Sequence, residues 1–226
     1  MRIIYEDNHL LIAEKPPNIL SQGDRTKDPD MLALLKEDIK IRYNKPGNVF
    51  LGLVHRLDRP VGGVMAFART SKAASRLSDQ IRQGTFKKIY YAVIRGIPSK
   101  SPSVLEHYLY KDAKKNIVRV VDEASGLGKK ALLSYEVIGM SKEYNLSCVK
   151  IHLYTGRPHQ IRVQFASIGH PIFGDQKYGY KQYKQQIALW AGKITFIHPT
   201  TKEELSFHSP PPDEHPWNLF KLEAEN

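Results

Sequence analysis

The sequence contains a single cysteine, Cys148, among 226 residues. An intrachain disulfide and a paired-cysteine metal motif are therefore both excluded, which fits the reducing environment of the cytoplasm. No apolar run approaches the ~18 residues that a membrane span requires. The first residues are interrupted by Glu6 and Asp7, so they lack the apolar stretch of a secretory signal. These absences predict a cytoplasmic protein that is not inserted in a membrane.

Motifs for nucleotide cofactors and metals are also missing. The segment Gly126–Ala131 matches the letters of a dinucleotide fingerprint, but it follows a polar loop and leads into a strand-like run instead of opening a helix. Gly47 and Gly52 have the spacing of a P-loop, but Leu53 stands where the lysine is needed. The nine histidines show no metal-ligand spacing. We therefore expect neither a nucleotide cofactor nor a metal.

Acidic residues are too few to balance the basic ones. Lys and Arg number 34 against 23 Asp and Glu, which gives a formal net charge of +11. Hydrophobic residues make up 41% of the chain, so it can bury a core and is not intrinsically disordered. The excess of positive charge favours a polyanionic partner such as nucleic acid. A solvated basic surface without a specific partner is the alternative.

Hydrophobic patterning predicts a mixture of helices and strands. Helices are predicted over Asp30–Tyr43, Ser71–Gln83 and His159–Ser167, with Thr70 as the N-cap of the second and Gly84 as its stop. Strand-like runs occur at Ile3–Tyr5, Leu10–Ala13, Val64–Ala68, Ile89–Ile94, Val104–Tyr110, Ile117–Val121, Leu132–Ile138, Leu146–Leu153, Ile194–Ile197 and Leu205–Phe207. Because many neighbouring runs are at hairpin spacing, we predict an α+β fold with a mainly antiparallel mixed β-sheet and flanking helices.

The densest polar segment is Gly52–Gly63. It places Asp58 between Arg56 and Arg59, with His55 close by, in the glycine- and proline-rich composition of a tight loop. Nearby positive charge favours the ionised form of a carboxylate, and an ionised carboxylate on an ordered loop can act as a nucleophile or base. A structural Asp–Arg pair that braces the loop is the alternative.

A second polar segment, Tyr154–Gln164, combines Arg157, His159, Gln160 and Arg162 around a glycine turn and a predicted helix start. Such a segment can bind phosphate, and it can also supply a counter-charge to an acid from elsewhere in the chain.

The third segment, Lys87–Arg95, has the alternation of a strand and places Tyr90 and Tyr91 on opposite faces. One ring can then lie in the core while the other stacks on an exposed base. Two tyrosines that both pack within a sheet are an equally good interpretation.

Together these segments resemble the RluA family of RNA pseudouridine synthases. The matching motifs occur in that family's order: His-Arg-Leu-Asp ending at Asp58, Lys-Ile-Tyr-Tyr-Ala-Val containing Tyr90, and His-Gln-Ile-Arg ending at Arg162. The segment Gly169–Asp175 and then Tyr178 follow, and the resemblance spans nearly the whole chain. The His-Arg-Leu-Asp motif or the His-Gln-Ile-Arg motif alone is weak evidence. Both motifs at this separation are highly specific together.

The resemblance implies the pseudouridine synthase catalytic fold in one domain over residues 1–226. It implies that Asp58 is the catalytic carboxylate, that Tyr90 stacks on the target uracil, and that Arg162 pairs with Asp58. Arg56 would occupy the space of the extruded nucleotide. The remaining predicted contacts with RNA are His55, Arg59, Arg157, His159, Gln160 and Lys88.

The implied reaction cleaves the glycosidic bond of a uridine, turns the base and rejoins it through ring carbon 5, without a cofactor. The implied substrate is a stem-loop of ribosomal or transfer RNA, and the implied oligomeric state is a monomer. Whether Asp58 attacks the sugar, attacks the ring or abstracts a sugar proton stays open. The base must leave its stack to react, so an arginine and an aromatic residue suit the site.

The chain also departs from the family pattern. Residues 59–63 replace the usual Thr-Ser-Gly stretch after the catalytic acid, Gln164 stands where a histidine is common, and Trp190 falls in a segment that usually reads Leu-His-Ala. The resemblance begins at about residue 3, so we expect no N-terminal RNA-binding module, and RNA would bind to the basic surface of the catalytic domain. The candidates are Lys87, Lys88, Arg95, Lys111, Lys114, Lys115, Arg119, Lys129, Lys130 and the stretch Lys177–Lys184.

Two other functions are alternatives to this one. A non-catalytic RNA-binding or ribosome-assembly factor would keep the fold without needing an acid at position 58. A carboxylate-dependent hydrolase would need a second catalytic acid, for which Asp175 and Glu106 are the candidates.

Overall fold

The structure is a computed structural model that describes residues 2–180 and 185–221. The α-helices are α1 (Met31–Arg42), α2 (Ser71–Gln83) and α3 (Gln160–Ser167). The strands are β1 (Ile3–Glu6), β2 (Leu10–Lys15), β3 (Gly52–Leu53), β4 (Gly62–Ala68), β5 (Lys87–Arg95), β6 (Ser103–Asp112), β7 (Ile117–Val121), β8 (Lys129–Ser141), β9 (Leu146–Leu153), β10 (Leu189–Ile197) and β11 (Glu204–His208). None of the helices in these described residues has the length and hydropathy needed to cross a membrane.

The chain forms two compact units. The first contains Met1–Lys87 and Ala191–Ser209, and the second contains Lys88–Trp190 and Pro210–Asn226. The prediction of one domain depends on how these units combine, and it stays a prediction.

In the first unit the strands follow the order β1-β2-β4-β10-β11, with β3 also paired to β4. The β1–β2, β2–β4, β3–β4 and β10–β11 pairs are antiparallel. Side chains from β2, β4, β10 and α2 form one hydrophobic core, in which the rings of Phe86 and Phe196 stack with centroids 5.0 Å apart. The predicted hairpins at the start of the chain and at residues 194–207 are confirmed.

Helix α2 matches its sequence prediction at both ends. The Thr70 hydroxyl accepts a hydrogen bond from the backbone N–H of Ala73 at 3.1 Å, which satisfies one of the free donors at the helix start. Gly84 ends the helix with a φ of 75°, a left-handed conformation that glycine adopts without strain. Ala73 and Leu77, four residues apart, are buried against the sheet. Local capping signals therefore determine where this helix begins and ends.

In the second unit the strand order is β5-β9-β8-β6-β7. The β5–β9, β9–β8, β8–β6 and β6–β7 pairs are antiparallel. Helix α3 packs inside this unit, where the ring of Phe165 meets Tyr135 edge-on at 5.1 Å between centroids. A separate cluster contains Cys148, whose thiol pKa is raised by burial to about 12.

The α+β class and the mainly antiparallel sheet are confirmed, with helix and strand positions close to those predicted. Several strands are longer than their apolar runs, because pairing extends over polar residues such as Lys129 and Lys130 at the start of β8. The run after Gly126 leads into this strand, as predicted. The two-residue strand β3 was missed, because it is too short to show a periodicity.

Candidate active site

Asp58 lies in the first unit, on the turn between β3 and β4, and its side chain is half-exposed. The backbone N–H of Val61 donates to the carbonyl oxygen of Asp58 at 3.0 Å, which closes the turn. Gly63 follows with a φ of 123°, and a Cβ at this position would lie 2.3 Å from the carbonyl oxygen of Ala191. Only glycine permits this close approach of the two backbones, so it fixes the exit of the turn.

The buried amine of Lys15 holds the same turn from beneath. Lys15 has no exposed surface. Its Nζ donates to the carbonyl oxygens of Pro16 at 3.0 Å, Arg59 at 2.9 Å and Val61 at 2.7 Å. Burial lowers the pKa of Lys15 to about 7, although the charge of Asp58 acts in the opposite direction.

Sequence reasoning missed Lys15. Its only local signal is a lysine at the end of the otherwise apolar strand β2, and that position is also common for a lysine exposed to solvent.

The neighbours of Asp58 have three different environments. Arg56 is exposed and makes no ion pair or hydrogen bond through its side chain among the described residues. Arg59 turns to other partners, because its guanidinium donates to the Asn18 carbonyl at 3.2 Å and to the Asp28 carboxylate at 2.7 Å. His55 points inward, where its Nε2 accepts from the backbone N–H of Ala66 at 3.0 Å. Of these three, Arg56 is the one that is exposed and has no side-chain partner among the described residues.

The second unit contains Tyr90 and Lys88, both on β5. Tyr90 lies opposite Ile151 in the β5–β9 register and is 7% exposed, whereas Tyr91 lies opposite Lys150 on the other face. The prediction that the two tyrosines face opposite sides is confirmed. Lys88 is half-buried, and burial lowers its pKa.

Arg162 and Asp175 form a buried bidentate ion pair in the second unit. The Nε and Nη2 atoms of Arg162 each donate to one carboxylate oxygen of Asp175 at 2.8 Å. The guanidinium also lies over the ring of Tyr178, 5.2 Å from its centroid. Asp175 accepts further hydrogen bonds from the backbone N–H groups of Lys177 and Tyr178.

The ionisation of Asp175 follows from these contacts. Burial acts to raise its pKa, but the hydrogen bonds and the charge of Arg162 outweigh burial, so the pKa lies below its ordinary value. A carboxylate that stays ionised in this way cannot deliver a proton as a general acid.

The remaining residues of the Tyr154–Gln164 segment shape its backbone. Gln160 is 3% exposed, and its Oε1 accepts from the Thr155 hydroxyl at 2.8 Å and from the Arg157 N–H at 3.0 Å. His159 has a φ of 51°, and its Nδ1 lies 2.6 Å from the Tyr178 hydroxyl. Arg157 donates from Nε to the Lys130 carbonyl at 2.9 Å. Gln160 is thus an internal brace, while Arg157 and His159 are half-buried.

The other candidate acids and basic residues lie in different environments. Glu106 is exposed and pairs with Lys130 at 2.7 Å. The guanidinium of Arg95 lies over the rings of Phe173 and Tyr180, 5.1 and 5.4 Å from their centroids. Residues 181–184 of the predicted basic stretch lie outside the described residues. Within residues 2–180 and 185–221, no three His, Cys, Asp or Glu residues lie together in a way that could hold a metal.

Comparison with known proteins decides the family. Residues 9–167 match the family model described as RNA pseudouridylate synthase. This chain belongs to that family. The matched segment contains the Asp58 turn, Tyr90 on β5 and Arg162 on α3.

Relatives named as RNA pseudouridine synthases match most of the chain. An uncharacterized RNA pseudouridine synthase of Aquifex aeolicus is 31% identical over 94% of this chain and 70% of its own length. The ribosomal large subunit pseudouridine synthase C of Vibrio cholerae is 32% identical over 92% of this chain. The chain spans 65% of the length of that Vibrio protein.

A solved structure supports the fold. Human RNA Pseudouridylate Synthase Domain Containing 4 aligns with a TM-score of 0.78 at 20% identity, over 93% of this chain and 88% of that one. The predicted pseudouridine synthase fold is therefore confirmed.

Proposed function

We propose that this chain isomerises uridine to pseudouridine in structured ribosomal or transfer RNA, with Asp58 as the catalytic carboxylate. The observation that carries the proposal is the half-exposed acid on a turn that Lys15 and Gly63 hold in one conformation, in a chain of the RNA pseudouridylate synthase family. An acid on a rigid support keeps its oxygens in one place relative to a bound nucleotide. This is what an attack or a proton abstraction at a single sugar or ring atom requires.

Tyr90 and Arg162 would complete the chemistry. We assign to Tyr90 the stacking contact with the target uracil, because its strand holds the ring in a well-packed position. We assign to Arg162 the role of counter-charge to Asp58. The bidentate contact with Asp175 would keep the guanidinium in one orientation, because it limits its rotation.

We assign to Arg56 the role of filling the space that the uridine leaves when it moves out of the RNA stack. A uridine must leave its stack to react, and the cost is reduced when a side chain fills the space that the nucleotide leaves. The exposed guanidinium of Arg56, two residues from Asp58, could do this without giving up any ion pair among the described residues. Arg59, His55 and Gln160 have internal or competing partners, so we propose that they act on RNA indirectly by shaping the backbone.

RNA docking would use the basic hairpin of β6 and β7. Lys111, Lys114, Lys115 and Arg119 are all exposed there, and Asp112 is the only acid between them. Such a cluster attracts phosphates over a distance of about 10 Å at moderate salt. We propose that the chain acts as a single domain and as a monomer in the cytoplasm.

Two alternative functions are less well supported. A hydrolase would need a second acid, but Asp175 is held ionised by Arg162, and the exposed Glu106 is paired with Lys130. A non-catalytic RNA-binding factor has no need for a lysine buried beneath an acidic turn, because that arrangement costs free energy.

The decisive experiment compares Asp58→Asn with a matched control, Asp79→Asn, whose exposed carboxylate pairs with Arg82 on α2. Each variant is incubated with ribosomal and transfer RNA from cells that lack the gene, and pseudouridines are mapped. We expect Asp58→Asn to lose pseudouridine formation while its affinity for RNA stays within a factor of about two, since a neutral isostere removes one charge and little contact area. Asp79→Asn should retain full activity.

Two results would reject the proposal. Activity of Asp58→Asn equal to wild type would remove Asp58 from catalysis. RNA binding by the wild-type chain without any new pseudouridine in either RNA class would favour the non-catalytic binding factor.

A further inference from the structure

A polar cavity of about 320 Å³ lies in the first unit, away from Asp58. It is formed by the loop after α1, the turn between β1 and β2, and the start of α2. The side chains that matter for its chemistry are Phe50, Lys45, Asn8, Asn48, Arg69 and the buried Ile39. Its volume is within the range of sites that bind small molecules or single residues of a polymer.

The cavity has hydrogen-bonding groups that the fold does not use. Asn8, Asn48 and Lys45 are exposed, and their side chains make no hydrogen bond or ion pair among the described residues. Two carboxamides offer donors and acceptors together, which is the pattern that reads the edge of a nucleobase. The ammonium group of Lys45 adds a positive charge suited to a phosphate.

Phe50 adds an aromatic surface. Phe50 is 51% exposed, although phenylalanine is usually buried. The ring lies beside Gly52, because a Cβ built at residue 52 would be in ordinary van der Waals contact with its Cζ atom, at 3.4 Å. The exposed part of Phe50 is therefore available for stacking, as in the aromatic platforms that bind the bases of single-stranded nucleic acid.

Arg69 contributes charge in a fixed place. Its guanidinium pairs with Glu6 at 2.9 Å and lies over the ring of Tyr43, 5.2 Å from the centroid. These contacts hold Arg69 in the wall of the cavity, whereas the side chain of Lys45 makes no hydrogen bond or ion pair among the described residues. An apolar ligand would leave the carboxamides and the ammonium group unpaired, and a bare anion would make no use of Phe50.

The cavity and Asp58 lie at opposite ends of β4. The strand has seven residues between them, which corresponds to a separation of roughly 20 Å at about 3.3 Å per residue. This equals about six stacked nucleotides at 3.4 Å each. We therefore expect that RNA with its uridine at Asp58 is long enough for a nucleotide several positions away to span the distance to the cavity.

We propose that this cavity binds one nucleotide of single-stranded RNA flanking the target uridine. Its base would stack on Phe50, its edge would meet Asn8 and Asn48, and its phosphate would pair with Lys45. The identification of RNA as the ligand rests on the proposed function. The site itself is a separate claim, because it concerns recognition and not the isomerisation.

The first test measures binding of a fluorescein-labelled eight-nucleotide single-stranded RNA by fluorescence anisotropy. We expect Phe50→Ala and Lys45→Ala each to weaken binding about five-fold or more, as loss of a stacked base or a phosphate contact does. The matched controls are Ile41→Ala, which removes a side chain 70% exposed on α1, and Lys142→Ala, which removes an exposed charge between β8 and β9. Both controls should bind within about two-fold of wild type.

The second test uses the wild-type protein, so it does not depend on the folding of a variant. A 4-thiouridine-labelled oligonucleotide is cross-linked to the chain with light, and the linked peptides are identified by mass spectrometry. We expect cross-links within residues 45–50. Absence of cross-links there, or equal weakening by the controls and the cavity variants, would overturn the proposal.

Two outcomes separate this proposal from its alternatives. Saturable binding of AMP or UMP without binding of the oligonucleotide would make the ligand a free nucleotide and overturn the RNA assignment. Loss of pseudouridine formation in Asp58→Asn, together with unchanged oligonucleotide binding in Phe50→Ala, would reject the cavity while leaving the proposed function intact.

Discussion

The guanidinium of Arg162 and the carboxylate of Asp175 meet through two parallel hydrogen bonds of 2.8 Å, in an environment where neither side chain is more than 7% exposed. A two-pronged contact of this kind fixes the plane of the guanidinium as well as the position of its positive charge. Asp175 thus holds the orientation of Arg162, and its ionised carboxylate cannot serve as the general acid that a hydrolase would need.

Asp175→Asn should destabilise the chain by about 3 to 5 kcal/mol, because it leaves the buried charge of Arg162 without its partner. The pKa of Asp175 is depressed in the folded chain, so its contribution to stability is present above its unfolded pKa of 3.8 and is lost as pH falls through the folded pKa. Urea unfolding at a series of pH values checks this. The difference between wild type and variant should shrink below pH 3.8, and a difference that is constant with pH would contradict it.

Arg162→Lys should keep the positive charge but lose the two-pronged contact with Asp175. We expect kcat for pseudouridine formation to fall roughly 10- to 100-fold while KM changes little, as misplacement of a catalytic group does. Arg162→Met should lose more activity, since it removes the charge as well. Equal activities of the lysine variant and wild type would show that the orientation of Arg162 has no influence on the rate.

Lys15 should make stability depend on pH at neutral and alkaline values. Its pKa is about 7 in the folded chain against 10.5 for an ordinary lysine, so between these values the unfolded chain binds more protons at this residue. The contribution of Lys15 to the free energy of unfolding therefore rises with pH across this interval. The difference in unfolding free energy between wild type and Lys15→Met should follow that rise.

An NMR titration of Lys15 in the wild-type chain gives an independent check, because it needs no folded variant. A midpoint near 7 is expected. A midpoint close to 10.5 would show that burial does not shift this amine, and the pH dependence would then be absent.

The β6–β7 hairpin should contribute to RNA affinity through charge alone. Replacing Lys114 and Lys115 together by alanine should weaken binding to folded RNA and reduce the slope of log K against log salt by about 1.5 to 2, close to one counterion per lost phosphate contact. The control is the double variant Lys100→Ala and Lys142→Ala, which removes the same charge from other exposed turns. If both double variants change the slope equally, the hairpin has no special role in docking.

The sequence predicted the parts of the fold that depend on local signals. The hydroxyl of Thr70 and the left-handed Gly84 act within one turn of α2, so their identity was sufficient to place the ends of the helix. Alternation along β5 was sufficient to separate Tyr90 from Tyr91, because successive side chains of a strand point to opposite faces. The family was also recognisable, since Asp58, Tyr90 and Arg162 lie in motifs that can be read directly.

The sequence was less informative about the partners of polar side chains that have several possible acceptors or donors nearby. Arg59 adjoins Asp58 in the chain but pairs with Asp28, and Gln160 looked like a ligand for phosphate but braces its own loop. Two residues that are adjacent in the sequence need not point toward each other, because the rotamer of a long polar side chain depends on the hydrogen-bond acceptors around it.

By itself, therefore, the sequence determined the family, the fold class and the motifs that contain the candidate site residues. Motifs, periodicity and capping signals are local, so they can be recognised from residues that are close together in the chain. Only the tertiary structure decided that Lys15 lies buried beneath the Asp58 turn and that Arg162 pairs with Asp175. These contacts depend on burial and on residues far apart in the chain. Burial and long-range contacts both change the free energy of ionising a side chain, and no local sequence pattern gives the size of that change.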